Sequence, residues 1–127
     1  MADDARVPRD LTALARASTC RIATTGRVTG REHVATVWFA LVGRTLYAPS
    51  RHGLDGDWLR NVVASPDVEV RRRRRTWAGV GHVVVEPDEL ARAVDALVTT
   101  YARYREITDA WRSHPPVVVG IALADPA

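Results

Sequence analysis

Residues 20–50 read CRIATTGRVTGREHVATVWFALVGRTLYAPS, and this stretch decides the architecture. Cys20 to Thr25 is compatible with a strand, and Gly26-Arg27-Val28-Thr29-Gly30 is a turn bracketed by two glycines. His33 to Val42 is rich in β-branched and aromatic side chains, which suit a pleated, half-buried surface. Gly43 and Arg44 turn the chain again, and Thr45 to Ser50 supplies a further strand. The stretch therefore predicts three consecutive antiparallel strands.

On the N-terminal side, Pro8 to Ala17 predicts a short helix with Pro8 near its first turn and Leu11, Leu14 and Ala15 on one stripe, a brace or lid for the strands. On the C-terminal side, a polar loop from Ser50 to Gly56 leads into a short helix over 57–64. Asp55 and Asp57 stand there where carboxylates favour a helix N-terminus, and Ser65-Pro66 end it. Val68 and Val70 open a strand that runs into Arg71 to Arg75, and Trp77 to Val85 returns, with Gly79 and Gly81 marking a bend or a close backbone approach. Pro87-Asp88-Glu89 then starts a longer helix, predicted over 87–106, with Leu90, Val94, Leu97, Val98 and Tyr101 at helical spacing and Arg103 and Arg105 near its end. Val117 to Ala124 reads as a last buried strand. The count is six strands and three helices, a mainly β, α+β pattern. Short strands mostly in hairpins predict a closed or partly closed barrel, since closure removes exposed edges. The expected organisation is a single domain over 1–127, with the N-terminal helix within 1–18 and the barrel over 19–124.

Composition narrows the chemistry. A chain of 127 residues with 46% hydrophobic and 26% charged residues is ordinary globular material. No apolar run approaches the roughly 20 residues that a membrane-crossing helix needs. Met1-Ala2-Asp3-Asp4 lacks the basic start and apolar stretch of a secretory signal, so a cytoplasmic location is expected. The single Cys20 makes neither an internal disulfide nor a CxxC pair. The net charge is +3, and all 18 cationic side chains are arginine. Arginine holds phosphate and carboxylate with a planar fork but stays charged, so the chain is equipped to bind anions rather than to form a lysine Schiff base. His52, His82 and His114 show no metal-ligand spacing, and no metal is predicted. Ser50 has no evident base partner, which argues against a hydrolytic triad.

The run Arg71 to Arg75 invites a nucleic-acid reading, but no recognised binding motif accompanies it and the net charge is modest, so no nucleic-acid partner is expected. Strand alternation from Val68 and Val70 places Arg72 and Arg74 on the core side and Arg71, Arg73 and Arg75 on the other. Either the chain has reached a solvated hairpin tip at the barrel rim, or the inward pair lines an anion-binding mouth.

Three segments, in this order, carry a family resemblance. The first is Thr24-Thr25-Gly26-Arg27-Val28-Thr29-Gly30, a T-x-G-R-x-[ST]-G turn. The second is Ala48-Pro49-Ser50-Arg51-His52-Gly53 followed by Trp58, Asn61 and Pro66, and the third is Thr108-Asp109 followed by Pro116-Val117-Val118. Over roughly residues 20–124 the chain resembles the deazaflavin-dependent nitroreductase family, within the larger group of split-barrel flavin-binding proteins. It departs at Arg31, Glu32, His33 and Thr36, where members often carry a basic residue and then a proline. The loop Leu54-Asp55-Gly56-Asp57 is also shorter than is usual in the family.

The resemblance implies a six-stranded split β-barrel of the FMN-binding type that uses coenzyme F420, an 8-hydroxy-5-deazaflavin. It also implies hydride transfer to a small-molecule nitroaromatic, enone or quinone. Such a cofactor carries a flat ring, a phosphate and an acidic tail. The implied contacts are Arg27, Thr29, Gly30, Arg31 and His33 on the turn, Pro49, Ser50, Arg51, His52 and Gly53 on the loop, and Trp58 and Asn61 on the short helix. Trp58 reads first as core packing, and Asn61 as satisfying backbone groups of the loop. Tyr101, Tyr104 and Trp111 fall where the family places aromatics over the substrate. No catalytic side chain is singled out, and a homodimer stays open. Three alternatives remain: an FMN-dependent reductase on the same barrel, a non-catalytic binder of a flavin or tetrapyrrole, and a nucleic-acid module using the arginine run.

Overall fold

Two residues, Trp38 and Phe39, interrupt the segment read as one strand over 33–42, and this break carries the chain from one edge of the sheet to the other. The computed structural model describes residues 7–126, so the opening Met1 to Asp4 and the start of the 1–18 segment lie outside the described residues. Among them are seven strands where the sequence predicts six: β1 (Cys20–Thr25), β2 (Glu32–Val37), β3 (Ala40–Val42), β4 (Thr45–Pro49), β5 (Asp67–Arg72), β6 (Arg75–Val83) and β7 (Val118–Leu123). They form one antiparallel sheet in the order β2-β1-β5-β6-β7-β4-β3. The expected run of three consecutive paired strands is therefore corrected, because β2 pairs with β1 while β3 pairs with β4 at the opposite edge. A two-residue link cannot span a flat seven-stranded sheet, whose neighbouring strands lie about 4.8 Å apart. The sheet must curl until the end of β2 reaches the start of β3.

The break is fixed from outside the strand. The Tyr101 hydroxyl accepts the Phe39 backbone N–H at 2.8 Å and donates to the Ser18 carbonyl at 2.6 Å. Trp38 stacks on the Tyr101 ring, with centroids 4.2 Å apart and an interplanar angle of 10°. Tyr101→Phe keeps the stack but leaves the buried Phe39 N–H without its acceptor, a loss of about 1–3 kcal/mol. The expected outcome is a melting temperature roughly 3–10 °C lower by circular dichroism; an unchanged melting curve would show that the hydroxyl does not hold the crossover.

The barrel interior holds Ile22, Leu46, Val70, Val119 and Ile121, each fully buried. A 3₁₀ turn (Arg9–Leu11) runs into α1 (Thr12–Ala15), and the brace packs through Leu11 and Leu14, which are fully buried, while Ala15, expected on the same stripe, is exposed; the Trp77 indole N–H donates to the Asp10 carbonyl at 3.0 Å. Helix α2 (Asp57–Ala64) sends Trp58, Leu59 and Val62 into the same core. Gly81 is the close approach that admits α2, because a Cβ there would stand 2.4 Å from Val62 Cγ1. Helix α3 (Pro87–Thr100) is capped by the Glu86 carboxylate, which accepts from the N–H groups of Asp88 and Glu89, and it covers the other face of β3, β4 and β7 with Ala93 and Leu97. The helix predicted to residue 106 stops at Thr100. Beyond it come a 3₁₀ turn (Ala102–Tyr104), α4 (Arg105–Thr108) and a further 3₁₀ turn (Asp109–Arg112).

The arginine run also needs correction. Alternation persists only to Arg72, which pairs with Arg75, and Arg73-Arg74 form the two-residue hairpin turn with Arg73 at φ 55°. Arg74 is therefore a turn residue and not an inward strand residue. Arg71 points to the outer face and is held by Glu32 and Glu69 at 2.5 and 2.6 Å. Burial pushes the Cys20 thiol up to about 12, with Arg72 opposing, so it stays protonated at neutral pH within the core. Among the described residues, no helix is long and apolar enough to cross a membrane.

Candidate functional site

The T-x-G-R turn closes on itself and is then clasped to α2. The Gly26 N–H donates to the Arg31 carbonyl at 2.7 Å, the Gly30 N–H to the Gly26 carbonyl at 2.8 Å, and the Arg31 N–H to Thr29 Oγ1 at 3.2 Å. Gly30 takes φ +74°, a conformation costly for a residue with a Cβ. Asn61, only 2% exposed, is the clasp. Its Oδ1 accepts from the Arg27 backbone N–H at 3.1 Å and from Arg27 Nη1 at 2.8 Å, and its Nδ2 donates to Thr24 Oγ1 at 3.2 Å. Arg27 also pairs with Asp57 at 3.2 Å. Asn61 thus satisfies backbone at the turn, not at the Ser50 loop as its position suggests. The guanidinium of Arg27 is engaged in holding that turn.

Between turn and helix lies a cleft of about 370 Å³ lined by Arg27, Thr29, Arg31, His33, Asp57 and Asn61, among others. Its acids are already neutralised, Asp57 by Arg27 and Glu32 by Arg71. The Arg71 guanidinium holds the Glu32 carboxyl below the usual carboxylate range. What remains to meet an incoming group is Arg31, His33 and the Thr29 hydroxyl. Gly30 lies beside this cleft, in a second one of about 370 Å³ shared with Glu69 and Arg71.

Pro49, Ser50, Arg51, His52 and Gly53 do not line the cleft. Pro49 ends β4 against Val118, and the Ser50 N–H donates to the Val117 carbonyl at 2.8 Å. The buried Ser50 hydroxyl donates to the Gly53 carbonyl at 2.6 Å, with Gly53 at φ +60°. Gly56 packs so closely that a Cβ would stand 2.9 Å from Ser50 Oγ. Arg51 and His52 are exposed, and their N–H groups meet no backbone carbonyl. Trp58 is 8% exposed and belongs to the core. Loop and turn nevertheless share a mount, since the loop runs directly into α2 and the turn is clasped to its Asp57 and Asn61.

The structure sets the aromatic group elsewhere. Tyr101, Tyr104 and Trp111 gather around Trp38, with centroids 4.2, 5.3 and 6.4 Å from it. Trp38 follows the end of β2 and His33 lies near its start, about 16 Å apart at ~3.3 Å per residue. Sequence reasoning missed Trp38, which reads as one more strand residue. It also missed Asp57 as a clasp residue, although Asp57 and Asn61 stand four apart on one helix face. A polar cluster outside the site was missed too. Tyr47 donates to Glu89 at 2.8 Å, and His82 meets the same carboxylate at 2.9 Å, packed where Gly120 leaves room. Burial and Glu89 push the Tyr47 hydroxyl up to about 12.

A family model described as F420H(2)-dependent quinone reductase matches residues 6–121. No curated protein matches the chain. Among solved structures, an F420-H2 dependent reductase is similar with TM-score 0.63 and 17% identity, over 84% of this chain and 94% of that one. A FAD-binding protein from Mesorhizobium loti is similar with TM-score 0.64 and 18% identity, over 88% and 85%. The heme storage protein from Vibrio cholerae is similar with TM-score 0.63 and 16% identity, over 87% and 84%. At these identities the structures share the fold, a split barrel of the FMN-binding type. The match over nearly the whole described chain shows the rest: this protein belongs to the F420H2-dependent quinone reductase family, an oxidoreductase family whose cofactor is coenzyme F420.

Proposed function

We propose that the chain holds reduced coenzyme F420 on the turn and loop mounted on α2 and reduces a small quinone, nitroaromatic or enone, in the cytoplasm. The observation that carries this reading is the cleft at the T-x-G-R turn, where both acids are neutralised and Arg31 and His33 face the opening. These residues fit the group, since a phosphate with an acidic tail needs cationic and neutral donors and finds no unpaired carboxylate here. The free N–H groups of Arg51 and His52 suit the polar edge of the ring.

Bound there, the coenzyme supplies the hydride, and the chain supplies binding, orientation and exclusion of water. Arg31, Thr29 and His33 would hold the phosphate and tail. Arg51 would meet the same charges from the loop. The aromatic group around Trp38 offers flat apolar surface for an acceptor.

Titrating the purified protein with F420 and FMN in parallel tests the reading. F420 should bind more tightly, and its affinity should fall as salt rises. Arg31→Ala and Arg51→Ala should each weaken it by roughly tenfold or more, as charge-assisted contacts worth about 1.5–3 kcal/mol are lost. Equal or tighter binding of FMN would overturn the assignment, and unchanged F420 affinity in both variants would overturn the placement.

A further inference from the structure

Among the described residues, four arginines are held in ion pairs. Arg27 is held by Asp57, Arg44 by Asp10 and Asp125, Arg71 by Glu32 and Glu69, and Arg112 by Asp95. Of the others, five gather at one end of the barrel. Arg16 and Arg72 to Arg75, with Ala13 and Ala17, line a cleft of about 600 Å³ between α1 and the β5–β6 hairpin. No carboxylate lines it, and among the described residues none of these five arginines makes an ion pair. Asp10, on which the charge of Arg75 acts, has its two oxygens taken by Arg44 at 2.8 and 3.0 Å.

We propose that this cleft is a second ligand site, selective for a small anion bearing two or more phosphate groups. Five like charges around one concavity repel one another, and an anion that touches several at once relieves that repulsion. A single charge relieves little of it, so the site discriminates by ligand valence. The lining has no aromatic ring on which a base would stack, and its only apolar members are two alanines, so it offers a nucleobase or an acyl chain nothing. Ala13 and Ala17, four apart on one side of the N-terminal segment, leave the floor open between the guanidinium groups.

The walls are held in place before any ligand arrives. Buried Leu11 and Leu14 anchor α1, and the Trp77 indole bonds the turn before it at Asp10. Arg21 Nη2 donates to the Arg73 carbonyl at 3.2 Å, which ties the hairpin tip to β1, and Arg75 lies over the Trp77 ring at 5.8 Å. Arg73 occupies φ 55°, where an asparagine or glycine is less strained, so the tip keeps an arginine at a position better suited to other residues. The site is separate from the T-x-G-R turn. Arg21 pairs with Arg71 at one end of β1, and Thr25 pairs with Glu32 at the other, about 13 Å away at ~3.3 Å per residue.

Calorimetric titration of the full chain with sodium triphosphate and with sodium sulfate, at matched ionic strength, tests the proposal. Triphosphate should bind saturably with one-to-one stoichiometry and at least tenfold more tightly than sulfate. Arg16→Gln with Arg74→Gln, both exposed and so expected not to lower the melting temperature, should weaken triphosphate at least tenfold. Arg92→Gln, on α3, should not change it. Added coenzyme F420 should leave triphosphate bound. The proposal fails if triphosphate does not saturate, if sulfate binds as well, if Arg92→Gln loses as much as the double variant, or if F420 displaces triphosphate. Binding only to anionic phospholipid vesicles or to an oligonucleotide would equally overturn a small-anion site.

Discussion

Asn61→Leu should lower the melting temperature by roughly 10 °C and loosen the coenzyme site in the same variant. The buried amide serves three partners at once, so its loss removes two bonds from Arg27 and one from Thr24 Oγ1, which keeps its bond to the His33 carbonyl at 3.3 Å. Three hydrogen bonds at about 1 kcal/mol each come to about 3 kcal/mol, and each kcal/mol moves the midpoint of a chain of this size by roughly 3–5 °C. Asn61→Asp separates the partners, because it keeps the oxygen that receives Arg27 and removes only the donor to Thr24. It should melt between the wild type and Asn61→Leu. F420 affinity should follow the same order, since the turn that carries Arg31 and His33 is then less firmly held. Wild-type melting in Asn61→Leu would show that the clasp contributes nothing to the fold.

The second large effect is expected at Gly81. In Gly81→Ala the new methyl would lie 2.4 Å from Val62 Cγ1, far inside van der Waals contact, and neither the β6 backbone nor the β-branched Val62 can yield cheaply. A cost of about 2–3 kcal/mol follows from forcing α2 away from the barrel. Val62→Ala removes the opposing methyl and by itself costs stability through the cavity it leaves. The double variant should therefore be more stable than the sum of the two single losses predicts, a coupling readable by urea denaturation. Simple additivity would mean that the two residues do not share that space.

Much of this arrangement is legible in the sequence, and the parts that are not share a cause. β1 over 20–25 and the short helix over 57–64 fall where glycines, proline and acidic start residues place them, because those signals are local. The break at Trp38-Phe39 has no local signal, since His33 to Val42 is a continuous run of good strand formers. What bends it is a hydroxyl from residue 101. For the same reason the long helix stops at Thr100, although Ala102 and Arg103 are good helix formers, because Tyr101 is held against Trp38 and Phe39. At the arginine run, alternation extends a strand pattern through a turn that contains no glycine to mark it. For the candidate site, the motif names Arg31 and His33, and both line the cleft at the turn. That Arg27 spends its charge on Asp57 and Asn61 depends on where α2 packs, which no spacing within the turn reveals.

The position of β7 has a consequence for how the chain is made. It comes last of the seven strands in chain order yet lies in the middle of the sheet, between β6 and β4. During synthesis β2, β1, β5 and β6 can pair as one sheet and β3 with β4 as another before residues 118–123 leave the ribosome. Until they do, β6 and β4 each present an unpaired edge, the kind of edge on which other chains add. Completion of the barrel is thus a late insertion of one strand between two waiting halves. Any hold-up of the nascent chain before residue 118 leaves both edges open for longer.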